Sequence, residues 1–405
     1  MRLVAALLVA LAVCATPAFA QERPRDWQPP PVETIPNFRE VWRDVLVELA
    51  AYAKKRNPNF VVLLRGGVEL VVKGEREAQW EDVRDPSGST YEKRLPLGWV
   101  FRPYLKAVDG MIFDGLYCGP YKFDKPLAQV IKDRKQLDAD LAEERRRGIN
   151  RPPVPQPLGP FSLDPKVELA RAAEVLRLAA VEERQRRVVY ALDAMKSAER
   201  PVFAIETCAT QADADAARAK GDRDHILVFS QTDDARLDRL PPGHARAENA
   251  ARVVGVTTAR NFLPMLRGDR YGTRTQWMTA LGATNYDVLM IDVIHRLEPL
   301  VKADIAGLKY KGLGAPRLVL ADMPIGRAFD WRWYWQKEWQ AGNPAFLYAP
   351  MADQPGAFIT DVRDPGWKEV LGKYLAGIVD LGFDGVVFDD LDTYLWFEDM
   401  MPLDR

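Results

Sequence analysis

Short apolar runs rich in β-branched residues recur along this 405-residue chain, separated by amphipathic stretches. That alternation constrains the fold more than any other feature, because strands joined through helices run parallel and must be covered on both faces. The runs are Phe60–Leu64, Gly110–Asp114, Pro201–Glu206, His225–Phe229, Asn261–Leu266, Asp287–Asp292, Arg317–Asp322 and Gly385–Asp389. Most are continuously apolar, as strands buried on both sides require. Eight such strands with helices between them predict an α/β fold, a closed (β/α)8 TIM barrel, in preference to an open doubly wound sheet.

The helices carry their own start signals. Val41, Val45, Leu49 and Ala53 recur every four residues, with Asn37 and Glu40 placed ahead of them for a capping box. Asp164-Pro165 opens a helix over Lys166–Lys196, and Asp364-Pro365 opens one over Gly366–Asp380. Two stretches exceed a minimal barrel. Residues 119–163 hold a charged helical segment over Pro126–Arg147 and then RPPVPQPLGP, which reads as a surface insertion. Residues 231–260 form a polar connector containing Pro241-Pro242-Gly243. Neither repeats, so residues 21–405 are expected to form one barrel domain.

Residues 1–20, MRLVAALLVALAVCATPAFA, combine one Arg, an apolar run and the small-x-small ending Ala18-Phe19-Ala20. They read as a signal peptide, since the apolar run is shorter than the ~20 residues a bilayer needs. The mature chain is therefore expected in the periplasm or outside the cell, without membrane attachment. Export to an oxidising compartment makes Cys118 and Cys208 candidates for a disulfide, with two buried thiols as the alternative. The histidines, His225, His244 and His295, match no zinc spacing. A net charge of −1, from 56 Lys and Arg against 57 Asp and Glu, argues against a nucleic-acid partner.

Active sites of such barrels lie at the C-terminal ends of the strands. Asp114, Glu206, Asp292, Asp322 and Asp389 each end a run, with Asp390 and Asp392 just beyond. Gathered carboxylates suit acid/base work on a glycosidic bond, binding of a hard cation, or neutralisation of a cationic substrate. Trp331, Trp333, Tyr334, Trp335 and Trp339 follow the seventh run, and Tyr394 and Trp396 the eighth, as rings that stack on sugars or pack the interior. The chain has no phosphate-binding, nucleophile-elbow or dinucleotide motif, and no cofactor is expected. The neutral total is expected to hide a negative cleft, with the compensating basic residues in the insertion, helices and connector.

The stretches NFLPML, TNYDVLMID, RLVLADMPIGRAFDWRWYW, DVRDPGWKEVL and GFDGVVFDDLDTY resemble the first half of glycoside hydrolase family 114, the endo-α-1,4-polygalactosaminidase group. Nearer the N-terminus, VWRDVLVELAAYAKKRNPNFVVLLRGGVEL, DGMIFDGLYCG, RPVFAIET and HILVFSQTDDARLDRLP resemble its second half. The inverted order implies a circular permutation, barrel strands five to eight preceding strands one to four across the 231–260 connector. The tail after Tyr394 is then expected near the start of the Val41 helix.

The resemblance places the leading catalytic carboxylate of the D-x-x-D-x-Y motif on Asp389, with Asp392 as a supporting or substrate-binding partner. It places the family's second carboxylate, a glutamate, on the shorter Asp114, and Glu206 stands in reserve. Two sites depart from the family pattern: the S-I-G-E-A-E run appears as Pro324-Ile325-Gly326-Arg327-Ala328-Phe329, and the usual Q-N as Arg65-Gly66. Asp292, Asp322, Asp392, Tyr394, Arg327, Trp331 and Arg65 are the expected substrate-binding residues. Barrel order also brings Cys118 and Cys208 to adjacent strands on one face, where a disulfide is geometrically reasonable. The leading expectation is a secreted hydrolase of an amino-sugar polysaccharide. A non-catalytic carbohydrate-binding barrel is the alternative, and a metal-dependent hydrolase is a weaker third.

Overall fold

The computed structural model describes residues 28–149, 165–232 and 236–403. Residues 1–20, expected as a signal peptide, the RPPVPQPLGP run and Asp164 lie outside the described residues. The eight expected runs all form strands, with ends shifted by a residue or two: β1 (Val61–Arg65), β2 (Gly110–Asp114), β3 (Val202–Thr207), β4 (Leu227–Gln231), β5 (Phe262–Met265), β6 (Val288–Ile291), β7 (Leu318–Pro324) and β8 (Gly385–Asp389).

They pair in parallel in the order β4-β3-β2-β1-β8-β7-β6-β5, so the last strand lies beside the first. The pairing sets Val61 opposite Gly385 and Leu64 opposite Phe388. A Cβ on Gly385 would meet the Val61 carbonyl at 2.4 Å, so this ladder needs glycine there. No ladder joins β4 to β5. Their contact is made by side chains, with the Phe229 and Phe262 rings 6.1 Å apart. The sheet is thus a nearly closed eight-stranded parallel barrel.

The N-terminal ends of the strands are locked by a repeated device. Asp109, just before β2, accepts from the Val62 amide of β1 at 2.8 Å and pairs with Lys54 at 3.0 Å. Asp384, just before β8, accepts from the Val319 amide of β7 at 2.9 Å and pairs with Lys309. Asp287, just before β6, accepts from the Arg260 amide at 2.7 Å and pairs with Lys311. Lys311 also donates to the carbonyls of Asn249 (3.1 Å) and Ala251 (2.9 Å), which ties the 231–260 connector to this end of the barrel.

Helices cover the outside. That over Phe38–Arg56 starts where Asn37 accepts from the Glu40 amide at 3.3 Å, one half of the expected capping box. Its buried stripe includes Phe38, Trp42, Leu46 and Leu49, while Val41 is half-buried. Asp364 caps the helix over Pro365–Leu381 by accepting from Gly366 at 2.7 Å. The insertion contains a helix over Leu127–Arg146, and the next helix runs over Pro165–Ser197. The final helix, Thr393–Met400, packs on the start of the first. Arg39 meets Glu398 through two buried hydrogen bonds of 2.9 Å, and the Phe38 and Phe397 rings stack at 5.4 Å.

The sequence reading missed the short antiparallel hairpin of Ile294–His295 and Glu298–Pro299 and a larger element. After β7 the chain forms an antiparallel sheet of Arg327–Phe329, Ala357–Thr360 and Leu347–Pro350, with the Trp-rich segment between its first two strands in the chain.

Lys311 and Asp287 are both buried, at 0 and 1 % side-chain exposure. Lys311→Met would leave the Asp287 carboxylate buried without its cation and is expected to destabilise the fold by roughly 3 kcal/mol or more, measured by urea unfolding. A change under about 1 kcal/mol would show that the remaining amide donors suffice.

Candidate active site

The strand C-termini surround a cavity of about 1170 Å³. Arg65 ends β1 and reaches across its mouth, donating from Nε to Asp114 at 3.0 Å and from Nη1 to Asp389 at 2.8 Å. The two bonds and the width of one guanidinium bound the nearest carboxyl oxygens to about 8 Å. A carboxylate pair flanking a glycosidic bond uses about 5 to 9.5 Å. Asp389 is the more enclosed partner, with 15 % of its side chain exposed against 52 % for Asp114. Burial works against the Arg65 charge, but Asp114 and Asp389 outweigh it and hold the guanidinium well above its ordinary value.

Two glycine positions allow this crowding. Gly66 has φ +82°, and a Cβ there would meet Asp392 Oδ2 at 2.6 Å. This turn brings the Gly67 amide to Asp392 Oδ1 at 2.6 Å. A Cβ on Gly326 would meet Thr393 Oγ1 at 1.6 Å and the Asp390 carbonyl at 2.6 Å, so the segment after β7 can lie against the segment after β8 only with glycine there. Asp390 itself adopts φ +56°, costly for a residue with a Cβ. Its amide donates to Asp389 Oδ1 at 2.7 Å, and its carboxylate meets Arg327 at 3.2 Å.

Asp322 forms the floor. Register places it opposite Val387, whereas Asp389 lies opposite Pro324; at two residues along the strand, Asp322 sits about 7 Å deeper. It is 7 % exposed, and its Oδ1 has no hydrogen-bond partner. Burial, then the nearby Asp389 and Asp292 carboxylates, push its carboxyl well above the usual range. Burial and Asp389 bring Asp390 up to about 6, and burial and Glu69 bring Asp392 up to about 7. Asp292 is held by Arg332, one of whose bonds is 3.0 Å.

Asp114, Asp389, Asp292, Asp322, Asp392, Arg65, Arg327 and Trp331 therefore line one cavity. Glu206 and Tyr394 do not. Glu206 is fully buried and accepts from the Tyr117 and Cys118 amides at 3.1 and 2.8 Å, so it holds the loop after β2 rather than facing substrate. Tyr394 is fully buried and donates to Glu69 Oε2 at 2.6 Å. A disulfide joins Cys118 to Cys208, with Cα atoms 5.1 Å apart, tying that same loop to the end of β3.

Of the aromatics after β7 and β8 that the sequence singled out, Trp331 alone lines the cavity, 4.8 Å from the Phe329 ring. The others pack: Tyr334 on Trp367 (5.5 Å), Trp335 on Phe358 (4.9 Å), Trp339 on Phe346 (5.2 Å) and Trp396 on Phe397 (5.0 Å), while Trp333 is exposed and meets Tyr334 edge-on (5.6 Å). The expectation of a simply acidic cleft is corrected. Among the described residues the lining has eight aspartates, but also Arg65, Arg236, Arg267, Arg296, Arg327 and Arg332. Sequence reasoning missed four of these arginines because none sits at a strand end. Arg332, a charge inside DWRWYW, was the one visible irregularity. No group of three His, Cys, Asp or Glu is disposed to hold a metal ion among the described residues, nor does any described helix have the length and apolarity to cross a membrane.

The family model of glycoside-hydrolase family GH114 matches residues 266–403, from the end of β5 through the final helix. An uncharacterised protein of Methanocaldococcus jannaschii is 33 % identical over 154 residues, 37 % of this chain and 43 % of that protein. Uncharacterised proteins of Deinococcus radiodurans and Thermotoga maritima are 38 and 32 % identical over 78 and 75 residues, covering 25 and 23 % of those proteins. The chain thus spans under half the length of these curated relatives.

Two outcomes are expected. Because the fold raises the Asp392 and Asp390 carboxyls, their protonated forms are favoured, and the associated stability is present below the ordinary aspartate range and lost as pH rises through about 6 to about 7. Asp392→Asn should therefore raise Tm at pH 8 and leave it nearly unchanged at pH 4; an equal shift at both would refute a raised Asp392 carboxyl. Thiol titration of denatured, unreduced protein spanning residues 21–405 should find no free thiol.

Proposed function

We propose that this protein is an exported glycoside hydrolase that cleaves within an amino-sugar polysaccharide of the galactosamine type. The observation that carries this reading is the pair of strand-end carboxylates, Asp389 and Asp114, bridged by Arg65 at the mouth of one large cavity. The GH114 match over residues 266–403 supports it independently. The product is destined for the periplasm or beyond through residues 1–20, and the partner is the polysaccharide itself.

Asp389, enclosed and fixed by the Asp390 amide, acts as nucleophile or base, and Asp114, open at the mouth, as the acid. Cleavage moves the acid's proton to the leaving glycosidic oxygen while Asp389, or a water it deprotonates, bonds to the anomeric carbon. Arg65 spans the two carboxylates and fixes their spacing. Substrate hydroxyls that compete for the guanidinium free Asp114 from this contact to meet the leaving oxygen.

A circular permutation accounts for the inverted order of the family-like stretches. Two observations support it. The β4–β5 boundary, where the family's own termini would fall, is the one neighbouring pair of barrel strands without a ladder, and the family match begins at Leu266, just past β5.

The same Arg65 bridge favours a second reading, a non-catalytic carbohydrate-binding barrel, because one guanidinium occupies both carboxylates that the chemistry would use. Incubation with α-1,4-linked galactosamine polymer separates the two. Cleavage by the wild type that falls about a hundredfold or more in Asp389→Asn supports a hydrolase; binding without cleavage supports the second reading. Arg65→Gln, which restores the amide that the resemblance implies, is expected to raise kcat/KM. A fall would show that the guanidinium contributes to the chemistry.

A further inference from the structure

The charges of the cavity are not evenly matched. On the side of β7, β8, β1 and β2 each arginine already meets a carboxylate: Arg65 meets Asp114 and Asp389, Arg327 meets Asp390, and Arg332 meets Asp292. The opposite side, built from the segments after β4, β5 and β6, differs. Arg267, two residues beyond β5, is exposed, and its side chain has no hydrogen bond or ion pair among the described residues. Arg296 is exposed in the short hairpin after β6, and among the described residues its guanidinium donates only to the Asp269 backbone carbonyl, at 3.2 Å. Asp238, an acid of the neighbouring segment, is already engaged by Arg270 at 2.6 Å and Arg239 at 3.5 Å.

Two hydrogen bonds bring these segments to one place. The Arg267 amide donates to the Leu237 carbonyl at 3.3 Å, and Arg296 reaches the loop carrying Arg267 through Asp269. Leu237, Arg267, Asp269 and Arg296 all line the cavity. Leu237 and Arg296 have φ of +52° and +55°, a left-handed conformation that costs energy in residues with a Cβ. Strained backbone thus sits at Arg296 itself and at Leu237, whose carbonyl holds the Arg267 amide.

We propose that this side of the cavity is a subsite for a carboxylate-bearing sugar, a uronate, gripped by Arg267 and Arg296. The planar guanidinium fork matches a carboxylate through two parallel bonds. A monoanion is preferred over a doubly charged phosphate because eight aspartates share the cavity and repel negative charge. The polymer that fits both sides carries a uronate a short distance from its amino sugar. The inference rests on the reading that this cavity binds a polysaccharide, and it adds an acidic unit to the substrate.

Isothermal titration with α-1,4-tetragalacturonate, a neutral galactose tetramer and an α-1,4-galactosamine tetramer tests it, on wild type and on Arg267→Ala/Arg296→Ala shown to be folded by circular dichroism. Galacturonate should bind wild type more tightly than the neutral tetramer, weaken with salt, and lose about tenfold or more in affinity in the double variant. Galacturonate affinity no better than the neutral tetramer's, or unchanged in the double variant, overturns the subsite. Arg267→Ala alone, a change at an exposed side chain, carries the test if the double variant does not fold. The readout is binding, so arginine-dependent galacturonate binding by a protein that cleaves no polymer sinks the hydrolase reading and leaves the subsite standing. Cleavage of galactosamine polymer without such binding does the reverse.

Discussion

The ladder between β1 and β8 is the constraint on which the site depends. It joins the first strand of the chain to the last, and it does so only because Gly385 leaves room for the Val61 carbonyl. That register sets Arg65 beside Asp389, residues 324 positions apart in sequence, and places the Gly66-Gly67 turn under Asp392. The strand-start aspartates make the register hard to slip. Asp109 and Asp384 each bond the first amides of a neighbouring strand and carry a lysine partner, so sliding a strand would strand a charge at the barrel bottom.

Charge is handled differently at the two ends of the barrel. At the bottom Asp109, Asp287 and Asp384 each have a lysine and a backbone amide, a satisfied arrangement that stabilises. At the top, carboxylates outnumber their partners: Asp322 lacks a hydrogen bond at Oδ1, and Asp390 and Asp392 are pushed to about 6 and about 7 by burial and by one another's neighbours. A site in this condition has protons and hydrogen bonds left to exchange with a ligand. That property separates a functional end from a structural one in barrels of this type.

Much of this was legible in the chain. All eight strands were readable from continuous apolar runs because both faces of a parallel sheet are dry, and Asn37 and Asp364 cap as their sequence context implies. The antiparallel sheet after β7 was not, because its strands are three or four residues long and its turns lie inside a Trp-rich segment that reads as loop. Glu206 was misread for a plain reason. It ends a strand like Asp114, but the loop after β2 folds over it and consumes its oxygens, and nothing local distinguishes a carboxylate that meets amides from one that meets solvent.

By itself, then, the sequence determined the strands, the helices and the acidic ends of the strands, all of which follow from local pattern and from the rule that barrel strands point their C-termini at the site. The tertiary structure alone decided which charges meet. That Arg65 bridges Asp114 and Asp389, that Tyr394 turns inward to Glu69, and that Arg267 and Arg296 face the cavity without carboxylate partners among the described residues are outcomes of barrel closure and loop packing. Pairing of charges depends on distances between segments far apart in the chain, and no local signal carries those distances.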